Sequence, residues 1–265
     1  MNRREFLKTT AAAGALTAVG ISPELSKAKE KPKDIVDTCD YTAIPTNTLF
    51  DCTFGGLRRS SLYLVTGRVG EGKTVFSQYL AARAIKTNDI KVVFLMSVRE
   101  DNGRLPRLIG RKPMGKYVIH TLYNPRDFYE TAAQAIEHIQ PDIVIDDRFP
   151  YLSGERSCFT ELWKKRSDDY RNLHRLIVEY KVCYVQLIQT MYSPGIGNYI
   201  HGGKHQIGCG MSASYLANAI IGVRRENHNH RLVGIYAMKN RWGEQSNIGN
   251  PCYNVPISSL LGKYA

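Results

Sequence analysis

Apolar residues along the chain fall into short runs that alternate with stretches of helical spacing. Leu62 to Thr66 (Leu-Tyr-Leu-Val-Thr) lacks any polar alternation, the pattern of a strand buried on both faces. Lys73 to Ile85 then places Val75, Tyr79, Ala82 and Ile85 on one side of a helix. Lys91 to Ser97 predicts a second strand, Lys116 to Leu122 a third, Phe128 to Ile139 an amphipathic helix, and Asp142 to Ile145 a fourth strand after Pro141. Further on, Glu161 to Tyr180 predicts a long helix, Val182 to Ile188 a strand, and Ala219 to Arg224 with Leu232 to Ala237 two closing strands. Strands alternating with helices predict an α/β fold, a mostly parallel sheet covered on both faces. Met191 to Met211 breaks the pattern: it is Gly-rich and irregular, and a loop of that length inside a compact domain is functional or mobile. No internal repeat is evident.

Composition narrows the class. With 43% hydrophobic, 10% aromatic and 23% charged residues the chain is globular. No apolar run reaches the ~18 residues of a membrane span, so no stable membrane anchor is expected. A length of 265 residues fits one large domain or two small ones, and one is expected here. The net charge of +12 favours a polyanionic partner, because clustered cations release counterions condensed on phosphates. Cys39, Cys52, Cys158, Cys183, Cys209 and Cys252 are far apart with no C-x-x-C pair, which argues against a zinc knuckle or a dense disulfide framework and for reduced thiols.

The N-terminus conflicts with the rest. Met1-Asn2-Arg3-Arg4-Glu5-Phe6-Leu7-Lys8, followed by small apolar residues from Ala11 to Ile21, resembles a twin-arginine export signal, and Ser26-Lys27-Ala28 fits a small-x-small cleavage site. The alternative is a basic tail running through Lys27, Lys29, Lys31 and Lys33. Residues 1–33 hold seven Lys or Arg and three Asp or Glu, so most of the positive charge belongs to residues 34–265, the expected folded domain.

Gly67-Arg68-Val69-Gly70-Glu71-Gly72-Lys73-Thr74 matches G-x-x-x-x-G-K-[ST] at every fixed position, between a predicted strand and a predicted helix. In such a loop Gly67, Gly70 and Gly72 let backbone N–H groups, including that of Arg68, wrap a phosphate. Lys73 then reaches the β/γ-phosphates and Thr74 ligates Mg²⁺. The metal also needs an acid at the end of a neighbouring buried strand. Asp142-Ile143-Val144-Ile145-Asp146-Asp147 supplies it, with Asp146 the expected ligand and Asp147 a neighbour or cap.

Around this loop the residues resemble the ATPase domain of DnaB-like replicative helicases, within the RecA-like superfamily. The lead-in Ile44-Pro45-Thr46-Asn47-Thr48-Leu49-Phe50-Asp51 with Gly55-Gly56-Leu57 precedes the P-loop much as it does there, and Val92 to Ser97 looks like the family's second strand. Gln189 stands where its strand-end glutamine does, and Lys239-Asn240-Arg241-Trp242-Gly243 looks like its K-N-R-x-G. The resemblance implies a RecA-like three-layer domain, ATP and Mg²⁺ as cofactors, and single-stranded DNA and a hexameric ring of identical subunits as partners. It implies Gln189 as a γ-phosphate sensor, and Arg241, with Lys239 beside it, as a cation acting on the neighbouring subunit's nucleotide. One departure stands out. The family's catalytic glutamate falls at Arg99 in this register, with Glu100 next to it, and a cation there cannot serve as general base. Either Glu100 is used through a one-residue shift, or hydrolysis is impaired.

The loop from Pro194 to His205 is the expected DNA contact, with Lys204 supplying charge and Tyr199 a stacking face. His201 and His205 are four apart, but flanking glycines argue against the helix that a metal pair needs. Arg224-Arg225 and Lys164-Lys165-Arg166 are expected to be solvated.

The sequence thus predicts an ATP-dependent DNA helicase core acting in DNA replication. The alternative is a hydrolysis-impaired, nucleotide-dependent DNA-binding, loading or regulatory module. A recombinase is disfavoured because no filament-forming arm is evident. Because an ATP motor needs fuel, a cytoplasmic location is expected, with export through a twin-arginine route as the alternative.

Overall fold

The computed structural model describes residues 39–97, 104–110, 113–122, 128–147, 159–189, 210–226, 231–243 and 251–261. An eight-stranded sheet organises them. In chain order its strands are β3 (Ser61–Gly67), β4 (Lys91–Ser97), β5 (Lys116–Leu122), β6 (Ile143–Asp147), β7 (Cys183–Gln189), β8 (Ala219–Arg225), β9 (Leu232–Asn240) and β10 (Tyr253–Pro256). The spatial order is β10-β9-β8-β3-β7-β6-β4-β5, parallel from β8 to β5, with β9 and β10 antiparallel. Two short strands, β1 (Ala43–Ile44) and β2 (Leu57–Arg58), form a separate antiparallel pair.

Every residue of β3 is buried, as its unbroken apolar run requires of a central strand covered on both faces. The helices are α1 (Leu49–Phe54), α2 (Lys73–Thr87), α3 (Arg104–Ile109), α4 (Phe128–Gln134), α5 (Phe159–Glu179), α6 (Gly210–Leu216) and α7 (Ile257–Leu260). Strand alternation sorts the core into two layers. On one face Tyr63, Val65, Phe94, Ile145 and Leu187 pack with α1, α2 and α3 through Phe50, Phe76, Leu80 and Leu105. On the other, Leu64, Leu95, Val144 and Tyr184 pack with α4, α5 and α6 through Ala132, Tyr170, Leu173 and Ala213.

The predicted strands and long helices are all present, and the following differences stand out. The helix expected over Phe128 to Ile139 is α-helical only to Gln134; Ala135–Ile139 is a widened π turn. It ends at Gln140 in the left-handed region (φ 50°), because Pro141 disfavours a right-handed helical residue before it. The lead-in folds as α1, capped by the Thr48 side chain, which accepts from the Phe50 N–H. The expected loop from Met191 to Met211 overlaps by two residues with α6, which opens at Gly210; residues 190–209 lie outside those described. Finally, β8 and β9 do not close the sheet, since β10 pairs with β9 beyond them. As an edge strand β10 tolerates Pro256 at its end.

Candidate nucleotide site

The loop joining β3 to α2 is built for close backbone approach. A Cβ at Gly67 would lie 2.4 Å from the Val223 carbonyl oxygen of β8, so only glycine lets the two strands run this close. Gly72 caps α2 at φ 101°, a conformation that L side chains rarely adopt. The ammonium of Lys73 bridges the Gly67 and Arg68 carbonyls at 2.9 and 2.8 Å. Arg68 and Gly70 are exposed along the rim, while Lys73 and Thr74 are half-buried in the first turn of α2. The Glu71 carboxylate accepts from the Arg225 N–H and so ties the loop to the end of β8.

Gln189 is the registered partner of Gly67 across the β3–β7 ladder, which puts the strand-end glutamine directly beside the loop. Asp146 is placed differently from its expected role. It is fully buried and on the face opposite α2, where the Tyr184 hydroxyl donates to it at 2.5 Å. Its registered neighbours, Leu95 and Gln186, point the same way, and Gln186 accepts from the Tyr170 hydroxyl at 2.7 Å. Asp147, half-buried, takes the α2 face.

Arg241 lies at the far end of the sheet. Its N–H donates to the Asn218 carbonyl, and the Asn218 N–H donates to Leu62 at the start of β3. From Leu62 to Gly67 is five residues of strand, about 17 Å at ~3.3 Å per residue. An exposed Arg241 therefore cannot reach the P-loop of its own chain. Its setting is rigid. Asn240 donates to the Thr53 carbonyl at 2.9 Å and accepts from the Trp242 N–H at 3.1 Å, and a Cβ at Gly243 would meet that same Thr53 oxygen at 2.9 Å. The Trp242 ring stacks on Tyr63 of β3 with centroids 5.9 Å apart, and Arg58 covers it at 5.2 Å.

Lys239 also departs from its expected role. A register shift between Ile220 and Ile221 inserts Met238 as a bulge, which turns Lys239 onto the α5–α6 face. There its ammonium donates to the Ser214 and Tyr215 carbonyls at 2.9 and 3.0 Å, binding the C-terminal turn of α6 rather than facing a nucleotide. His174, on α5, is held below the ordinary histidine range by burial and then by the charge of Arg241.

Glu100, Arg99, Tyr199, Lys204, His201 and His205 lie outside the described residues. Among the described residues no three His, Cys, Asp or Glu side chains gather into a metal cage. Mg²⁺ needs none, since it takes oxygen ligands from one or two side chains and the substrate phosphates, and Thr74 with a β6 carboxylate fits that donor set. No described helix is long and apolar enough to cross a membrane.

Comparison with known proteins fixes the fold. The model of the TAT (twin-arginine translocation) pathway signal sequence matches residues 1–20. No curated protein matches in sequence. Among solved structures, the RadB recombinase superposes with a TM-score of 0.58 at 13% identity, over 77% of this chain and 93% of that one. A second solved structure, an ATPase domain, superposes with a TM-score of 0.59 at 17% identity, over 85% of this chain and 92% of that one. The chain therefore has the RecA-like fold, a three-layer α/β domain around a mostly parallel sheet.

Proposed function

We propose that residues 34–265 form one RecA-like ATPase domain that couples MgATP hydrolysis to movement on single-stranded DNA, as the core of a ring-forming helicase. The observation that carries this reading is the split geometry: a phosphate cradle at the carboxyl ends of β3 and β7, and a braced arginine at the opposite end of the same sheet. Within one chain the two do not meet. A head-to-tail neighbour would bring Arg241 of one subunit to the Lys73–Thr74 loop of the next. In that arrangement backbone N–H groups of the loop and Lys73 hold the β- and γ-phosphates, Gln189 senses the γ-phosphate, and Arg241 neutralises charge developing on it. Thr74 and a β6 carboxylate would hold Mg²⁺, which would supply positive charge against the phosphates. The likeness to a recombinase and to an ATPase domain supports this reading through the fold alone.

A second reading, nucleotide-gated DNA binding without efficient turnover, is favoured by Arg99, a cation at the register where the family has its glutamate. ATP hydrolysis by the full chain with and without single-stranded DNA separates them. DNA-stimulated turnover is expected; nucleotide and DNA binding without turnover would select the second reading, and no nucleotide binding would end both. Affinity for single-stranded DNA should fall with salt at a log–log slope of about 0.7 per neutralised phosphate, and a flat response would remove the DNA assignment. The match at residues 1–20 supports an export signal, whereas ATP-driven work supports the cytoplasm; we propose the cytoplasm as the place of action. Fractionation of cells making the full chain, with Arg3 and Arg4 intact or replaced by lysine, tests that choice.

A further inference from the structure

Resting on the nucleotide-binding reading above, we infer that Asp147, not Asp146, is the carboxylate of β6 that serves the Mg²⁺ site beside Thr74. Adjacent strand residues face opposite sides of a sheet, so only one of two consecutive aspartates can face the P-loop helix. The register identifies which. Asp147 pairs with Met96 of β4, a member of the core layer beneath α2, and the Met96 sulfur receives the Gln78 side-chain amide of α2 at 3.8 Å. Ile143 and Ile145, four and two residues before Asp147, belong to that same layer, as do Val185 and Leu187 of the neighbouring β7. Gly67 and Gln189 continue the alternation of Val65 and Leu187 and so share the face.

Asp146 is fixed on the other side by four observations. It is fully buried, and Tyr184, a member of the α4–α6 layer, donates to it. Its partner on β4 is Leu95, of the same layer. Its partner on β7 is Gln186, bonded by Tyr170 of α5. Reaching Thr74 from there would require its carboxylate to cross the sheet. Asp147 has the position, the partial exposure and the hard oxygen donor that a metal at the first turn of α2 requires.

The test measures metal binding rather than turnover. Mn²⁺ serves as the paramagnetic probe for Mg²⁺, and its affinity for the full chain at saturating ADP is read by electron paramagnetic resonance. Asp147→Asn should weaken Mn²⁺ by about 10- to 100-fold, the range for removing an outer carboxylate from a metal site, while Asp146→Asn leaves it unchanged. Wild-type Mn²⁺ affinity in Asp147→Asn, or a loss in Asp146→Asn as large as in Asp147→Asn, overturns the assignment and leaves the nucleotide reading intact. If Asp146→Asn does not fold, Tyr184→Phe replaces it, with unchanged affinity expected and a loss of about 10-fold contradicting the inference. Failure of the wild-type chain to bind ADP at all overturns the nucleotide reading and this inference with it.

Discussion

The two ends of β3 are made of different materials. At its carboxyl end the chain offers main chain: Gly67 against the Val223 carbonyl, Gly72 in the left-handed region, and the first turn of α2, whose N–H groups point out of the helix end. Around its amino end it offers side chains: Trp242 stacked on Tyr63, Arg58 over Trp242, and Asn240 bonded to Thr53. The first suits an anion that arrives and leaves, because amides and a helix N-terminus attract phosphate without any side chain having to be ordered. The second suits a fixed cation, because Arg241 projects from a turn whose neighbours are bolted to the sheet. Under the proposed ring arrangement, their places at opposite ends of one strand would make nucleotide chemistry depend on the meeting of two chains.

Substitutions at the two ends should therefore behave differently, and the largest effect belongs to the loop. Lys73→Ala should abolish turnover and weaken nucleotide binding in each isolated chain, with the melting temperature held, since its bonds to the Gly67 and Arg68 carbonyls add little to the core. Equal ATPase rates in this variant and the wild type would remove the P-loop from the account. Arg241→Ala should lower turnover by on the order of 10³-fold while nucleotide affinity of the isolated chain stays at the wild-type value, as for a cation acting in trans. A parallel loss of affinity, measured by equilibrium titration, would place Arg241 at its own nucleotide instead.

Lys239→Ala sharpens the contrast further, because Lys239 is close to Arg241 in sequence but binds the end of α6. It should cost about 1 kcal/mol in stability by denaturant titration and leave nucleotide affinity alone. The smallest effect is on His174. Burial and the Arg241 charge lower its pKa, so its contribution to stability is complete above 6.5, the unfolded value, and is lost as pH falls through the depressed folded value. In Arg241→Ala the His174 resonance should titrate at higher pH, and an unmoved titration would separate the two residues.

Much of this was readable from the chain. Buried parallel strands such as Leu62 to Thr66 are apolar without interruption, and the P-loop motif falls where a strand hands over to a helix. The lead-in helix α1 also had a signal, Thr48 three residues before Asp51, although the Asp51 carboxylate turns back to the Thr46 and Asn47 N–H groups rather than to the cap residue. What escaped depends on parity. Ile143-Val144-Ile145-Asp146-Asp147 reads equally well with either aspartate facing α2, because a strand buried on both faces has no apolar alternation to set its phase. The bulge at Met238 has the same character: one extra residue sends Lys239 to the opposite face, and nothing in Leu232 to Asn240 announces it. Edge strand β10 was hidden by its brevity and by Pro256.

The central claim, that the phosphate loop and Arg241 belong to one reaction site only across two chains, is tested most directly by mixing two inactive variants. Lys73→Ala protein keeps its arginine and Arg241→Ala protein keeps its P-loop, so mixed interfaces contain one intact site that neither variant forms alone. The ATPase rate plotted against mixing ratio should pass through a maximum near equal proportions. A rate that merely interpolates between the two pure variants, or an Arg241→Ala protein as active as the wild type, would contradict the shared site.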